Sequence, residues 1–158
     1  MAVTSIWPVK SRLDHVINYA RNPAKTRERS LVSQASLHAI DNVIEYAADT
    51  IKTEERAYVS CLNCREDNAA VQMMETKRYW GKTDGRLCFH GYQSFAAGEV
   101  TAETAHAIGV KLAEELWGER FEVVIATHCN TGHYHNHFVI NSVSWATSSI
   151  IRSRIMPR

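Results

Sequence analysis

Three features of the 158-residue chain predict an α+β fold with a central, largely antiparallel sheet covered by helices. Stretches with the alternation and β-branched content of strands are interleaved with stretches of helical apolar period. The last two strand-like stretches are joined by a connection too short for a parallel crossover, which makes them antiparallel neighbours. No repeat, low-complexity tract or linker divides the chain, and a domain of this length buries roughly two thirds of its unfolded surface in one core.

Taken in order, residues 4–9 suit a short strand. Ser11 then caps a helix carrying Leu13, Val16 and Ile17, and Asn22-Pro23 stops it. Leu37, Ile40, Val43, Ile44 and Ala47 make one apolar stripe, which predicts a second helix over 33–48. Residues 57–62 read as a strand and 66–78, with Ala69, Ala70, Met73 and Met74, as a helix. Gly81 and Gly85 bound a turn before a strand over 86–95, which Ala96-Ala97-Gly98 ends. Thr101, with Glu103 and Thr104, opens a long amphipathic helix to Trp117, and Gly118 terminates it. Residues 121–128 and 135–145 form the closing strand pair, and from Ala146 onward weak periodicity and three arginines without an acid describe a loosely held tail.

Composition narrows the class. With 45% hydrophobic and 22% charged residues the chain is neither disordered nor fibrous, so a packed fold is expected. Apolar runs such as 123–126 are too short to span a bilayer, and the N-terminus lacks the apolar core of a signal peptide. Cys61, Cys64, Cys88 and Cys129 are scattered and supply no disulfide framework, which points to reduced thiols and a cytoplasmic location. A net charge of +1 gives nucleic-acid binding no support, so any such argument rests on local charge. Lys10, Arg12, Arg21, Lys25, Arg27 and Arg29 face only Asp14 and Glu28 in the first 33 residues, making this the phosphate-facing candidate, although a charge cluster is more often a solvated surface.

The most informative stretch runs from Thr127 to Val139, where His128, His133, His135 and His137, four of the chain's eight histidines, fall within ten positions. Side chains two apart on a strand share a face, so His135 and His137 stand side by side, and the turn returns His128 to them. Three neutral imidazoles from adjacent strands can hold a divalent cation and leave positions for water or a phosphate oxygen. The plainer alternative is a polar hairpin face whose histidines bond to their neighbours. His135-Asn136-His137 spells HNH, but the nuclease motif of that name is a dispersed unit with no counterpart here. Cys61 and Cys64 have CxxC spacing without a second pair, which favours a structural role. Cys129 adjoins His128 and so faces the opposite way. Among Trp7, Trp80, Trp117 and Trp145, which are candidates for stacking on unpaired bases, Trp117 at the end of an amphipathic helix suits the core.

The chain resembles the relaxase and mobilization nuclease family, a branch of the HUH endonucleases, in ordered motifs over nearly its whole length. These are Ile17-Asn18-Tyr19, then Asn22-Pro23-Ala24-Lys25-Thr26, residues 59–64, His90-Gly91-Tyr92-Gln93-Ser94-Phe95 and the histidine cluster. The resemblance implies an HUH endonuclease-like sheet with His128, His135 and His137 as metal ligands and Tyr19 as nucleophile. Ser94 belongs to the DNA-facing surface, and His133, Arg21 and Lys25 to phosphate contact or orientation of the site. It implies a catalytic domain over 1–145, incomplete at its C-terminal end, followed by a tail over 146–158. It further implies a divalent ion, Mg2+ or Mn2+ or another transition metal, and single-stranded DNA at an origin of transfer, with accessory DNA-processing and secretion-coupling proteins as partners. The activity implied is strand-specific nicking through a covalent 5′-phosphotyrosine. A replication initiator or transposase of the same superfamily, a single-strand-binding module without catalysis, and a cupin-like metal enzyme are the alternatives; the last lacks its acid, since no Asp or Glu follows His137. Family members often carry an acidic residue two positions after the first histidine, where this chain has Asn130. Tyr46, Tyr58, Tyr79, Tyr92 and Tyr134 compete with Tyr19, Tyr134 being the neighbour of the ligands.

Overall fold

The computed structural model describes residues 2–10, 29–48, 58–129 and 133–151. Its elements are β1 (Val3–Lys10), α1 (Arg29–Ala47), β2 (Val59–Leu62), α2 (Ala69–Tyr79), β3 (Arg86–Ser94), α3 (Ala102–Trp117), β4 (Val123–His128) and β5 (His135–Asn141). A 3-10 turn at Glu66–Asn68 leads into α2. The helix expected from Ser11 and its stop at Asn22-Pro23 lie outside the described residues.

The five strands form one sheet in the order β1-β3-β5-β4-β2, and all its pairings are antiparallel. The expected pairing of the last two strands is present, with His128 opposite His135 and Ala126 opposite His137. β5, last in the chain, is the central strand because β3 claims its other edge. Period-2 alternation therefore sends His135, His137 and Val139 to one face, called the front, and Asn136, Phe138 and Ile140 to the rear.

Each face has its own core. At the front, Ile40, Ile44 and Ala47 of α1 and Met73 and Met74 of α2 meet Val124, Ala126 and Val139. At the rear, Trp117 of α3 and Phe121 meet Phe89, Ile125, Phe138 and Ile140. The buried residues of α3 are Ala105, Gly109, Ala113 and Trp117, one row at four-residue spacing whose small members let the helix lie close to the sheet. Trp117 is thus a core residue, 3% exposed. Cys61 and Cys64 are half-buried thiols packed against the front core.

Boundaries follow local chemistry. Thr101 caps α3 by accepting the Thr104 N–H at 3.2 Å. Gly118 ends it in a right-handed conformation, φ −56°, and not in the left-handed one that glycine commonly supplies there. Its lack of a side chain still matters, since a Cβ would meet the Glu114 carbonyl oxygen at 2.7 Å. Gly81 and Gly85 do adopt positive φ, 64° and 83°, in the turn before β3. Pro8 is tolerated because β1 is an edge strand. Beyond β5, Val143 bridges Ile150, the Ile151 N–H bonds the Ser142 carbonyl at 3.1 Å, and Ile151 is buried in the rear core. The first six residues of the expected tail are thereby tied to the sheet, and residues 152–158 lie outside the described ones. Among the described residues no helix is long and apolar enough to cross a membrane.

One polar cluster is enclosed at the far end of β5. Lys77 of α2 donates to Ser142 Oγ at 2.5 Å and to the Arg86 carbonyl at 3.3 Å. Nearby Glu122 accepts from Thr76 Oγ1 at 2.9 Å and from Asn141 Nδ2 at 2.5 Å. Burial pushes the Lys77 ammonium down to about 8 from 10.5. Between those values the unfolded chain binds more protons than the folded one, so this residue makes stability rise with pH from about 8 to 10.5. Lys77→Met is expected to lose that rise. Urea midpoints compared across the window test it, and parallel pH profiles for the two proteins would contradict a buried, destabilised ammonium.

Candidate metal centre

The cluster is assembled by register. His128 ends β4, His135 begins β5, and their direct pairing places both on the front face, with His137 one step along. Ring centroids of His128 and His137 lie 4.1 Å apart, of His128 and His135 5.1 Å, and of His135 and His137 5.2 Å. Each residue offers one ligand nitrogen, and the three atoms lie within 4.8 Å of one another. His128 and His137 are buried and His135 is partly open, so the cluster has a dry floor and an accessible rim.

The second nitrogen of each ring is also accounted for. His128 Nε2 lies 2.8 Å from the Ala47 carbonyl at the end of α1. A carbonyl only accepts, so Nε2 carries the proton and a cation would be taken by Nδ1. His135 Nδ1 lies 3.2 Å from the His133 carbonyl, which by the same logic assigns a cation to Nε2. His137 Nδ1 meets His90 Nε2 at 2.9 Å in the buried part of the site. Burial lowers the His90 pKa and keeps that ring neutral, so it can accept the His137 Nδ1 proton and turn Nε2 toward a cation. Imidazole ligands that hand their other N–H to a carbonyl or to a further base are the usual pattern of a metal site. The donor set, three imidazoles each with one ring nitrogen engaged by a neighbour, fits a divalent transition metal and leaves positions for oxygen ligands.

The rear face holds the ligand strand in place. Asn136, between the two β5 histidines, is fully buried. Its Nδ2 donates to the Ala105 carbonyl at 2.7 Å and to Gln93 Oε1 at 3.0 Å, while its Oδ1 accepts from Thr127 Oγ1 at 2.6 Å. With its proton so used, Thr127 Oγ1 accepts from His106 Nδ1 at 2.8 Å, and His106 Nε2 in turn accepts from Ser60 Oγ at 2.8 Å. Gly109 of α3 makes room for this chain, because a Cβ there would overlap the Asn136 amide and lie 2.8 Å from its Cγ.

The remaining site residues fall as follows. Ser94 pairs directly with His135 and lies in the same front-face row, beside the cluster. His133 is exposed and meets the cluster through its backbone carbonyl, which His135 engages. Cys129 turns its thiol to the Thr127 carbonyl at 3.6 Å and does not join the three histidines. Tyr19, Arg21, Lys25 and Asn130 lie outside the described residues. Sequence reasoning gave His90 no role and named Tyr46 only as one of five rivals to Tyr19. His90 belongs to a strand recognised as such, but its role depends on β3 lying beside β5, a long-range pairing that no local pattern encodes. Tyr46, 55% exposed on α1, has its ring centroid 6.0 to 6.3 Å from those of His90, His128 and His137.

An antiparallel sheet whose central strand carries a histidine pair facing a third histidine is the architecture of the HUH endonucleases. Comparison with known proteins makes the assignment specific: residues 46–155 match the family described as relaxase, MobA/VirD2-like, nuclease domain. The chain belongs to that family. It is 40% identical over 94 residues to Protein rlx of Staphylococcus aureus, a match covering 60% of this chain and 30% of the relative. It is 31% identical over 154 residues to the group II intron-interrupted relaxase LtrB of Lactococcus lactis subsp. cremoris, covering 94% of this chain and 27% of the relative. The chain therefore spans under a third of the length of these curated relatives.

If His90 orients His137, His90→Phe should weaken Mn2+ binding about 10- to 100-fold while leaving the far-ultraviolet circular dichroism unchanged. Titration calorimetry measures the effect, and an unaltered affinity would remove His90 from the site.

Proposed function

We propose that this domain nicks one strand of DNA at the transfer origin of a mobile element and remains joined to the new 5′ end through tyrosine. The observation that carries the reading is the convergence of His128, His135 and His137 on one face of the sheet in a chain of the relaxase family. These three residues would hold Mg2+ or Mn2+. When bound, such a cation would supply polarisation of the scissile phosphate and offset charge in the transition state. The nucleophile in this reading is Tyr19. Its phenolic oxygen bonds to phosphorus as the bond to the 3′ oxygen breaks, the phenol proton is lost to solvent, and the departing strand takes up a proton as its 3′-hydroxyl. A phenol ordinarily ionises near pH 10, so the proton must leave during attack. The phosphotyrosine preserves the energy of the broken linkage, which lets the same site reseal it.

In this reading Arg21 and Lys25 contribute phosphate contacts, and Ser94 and His133 face the DNA or orient the site. Residues 1–145 act as the catalytic domain, with 146–158 as a tail. The reaction belongs in the cytoplasm, with single-stranded DNA at an origin of transfer as substrate and DNA-processing and secretion-coupling proteins as partners. Tyr46 is the rival phenol, favoured by its ring contacts with three histidines. A replication initiator or transposase would use the same groups on a different origin, so the DNA substrate separates those readings.

The test is a nicking assay on supercoiled plasmid carrying a transfer origin, with Mn2+, followed by denaturing electrophoresis for a protein–DNA adduct. Wild type and Tyr46→Phe should form it and Tyr19→Phe should not, while His135→Ala should slow nicking at least about a hundredfold. An adduct persisting in Tyr19→Phe would overturn the nucleophile assignment. Binding of single-stranded DNA without any adduct would leave a DNA-binding module and no enzyme.

A further inference from the structure

Trp7 has no part in the chemistry above, yet it stands beside the histidine cluster. It lies on the edge strand β1 directly opposite His90 of β3, so its side chain shares the front face with the cluster. Its ring centroid is 5.0 Å from that of His90, and His90 is 5.1 Å from His137, so two ring contacts connect the indole to a candidate ligand. The Tyr92 ring packs against the indole in an edge-on contact, centroids 5.7 Å apart and planes at 62°. The indole nevertheless remains 41% exposed. Scattered surface aromatics need no explanation. This one forms a continuous rim with Tyr92 and His90, and Tyr46 extends the rim on the helix side of the same histidines.

We infer that Trp7 is a stacking platform for one unpaired base of the DNA strand whose phosphate lies at the three histidines, a subsite that rests on the nicking reading above. An indole face is apolar and polarisable, and base–aromatic stacking is sequence-tolerant because each base has a π face. A base inside a duplex already has neighbours on both sides, so the platform selects a single strand. The contact with Tyr92 braces the indole, which lowers the entropy lost on binding. Stacking beside the cluster fixes the register of the strand, and so determines which phosphate reaches the metal site.

Two fluorescently labelled probes test this with the full chain: a random-sequence single-stranded DNA pool and a sugar–phosphate strand of equal length without bases. Trp7→Ala should weaken binding of the first at least about fivefold and leave the second unchanged, with Trp7→Phe retaining most of the affinity. Equal weakening on both probes, or none on either, would overturn the stacking role while leaving the nicking proposal intact. Wild type that binds neither probe would remove the DNA reading and the platform with it. Should Trp7→Ala fail to fold, wild type irradiated with the pool carrying 5-iodouracil for thymine decides the matter. A crosslink mapped to Trp7 is the expected result, and crosslinks confined to other residues would overturn the inference.

Discussion

The site depends on the register of the central strand. β5 is held on both edges, by β3 and β4, and its alternation determines which side chains face which helices. A slip of one residue would turn His135 and His137 toward α3 and put Asn136 among the front-face groups. Backbone pairing alone does not forbid this, since the ladder is the same in either register. The side chains do. Asn136 is matched to Thr127, Gln93 and Ala105 on the rear face, with space provided by Gly109, whereas an imidazole in that position would leave buried polar groups unsatisfied. The polar residue between the two histidines, in a position otherwise suited to an apolar side chain, thus locks the register that brings the three histidines together.

From that constraint the front face can be assembled at little cost. Once β5 is positioned, pairing with β4 brings His128 against His135, and pairing with β3 brings His90 within bonding distance of His137. Each of the three imidazoles then rests on a different support: the end of α1, a residue just before β5, and a neighbouring imidazole. The family's frequent acid after the first histidine is Asn130 in this chain, and His137 Nδ1 meets the buried imidazole of His90. If His137 holds a cation, a neutral imidazole behind it would leave it less electron-rich than a carboxylate would.

Much of this was legible in the sequence, for definite reasons. The stripe of Ile40, Ile44 and Ala47, the cap at Thr101 and the glycines of the turn before β3 act over a few residues, and each appears in the structure where local chemistry required it. The three histidines were legible because two lie on one strand and the third on its hairpin partner, so short-range geometry nearly determines their meeting. The nearness of His90 and Tyr46 to them was not, because these two come from a strand and a helix whose places beside β5 are set by packing of distant segments. The start of α1 at Arg29 precedes the first apolar position of its stripe, where periodicity carries no signal. Strand order was equally hidden: sequence adjacency would place β5 at an edge, and the pairing with β3 makes it central.

The account stands most directly on one cation being shared by three imidazoles. Crystals grown with Mn2+ and measured at an anomalous wavelength decide it. A single peak within bonding distance of His128 Nδ1, His135 Nε2 and His137 Nε2, with His90 still joined to His137 Nδ1, is the expected result. A peak bound by other residues, or rings turned away from a common point in metal-saturated protein, would contradict it.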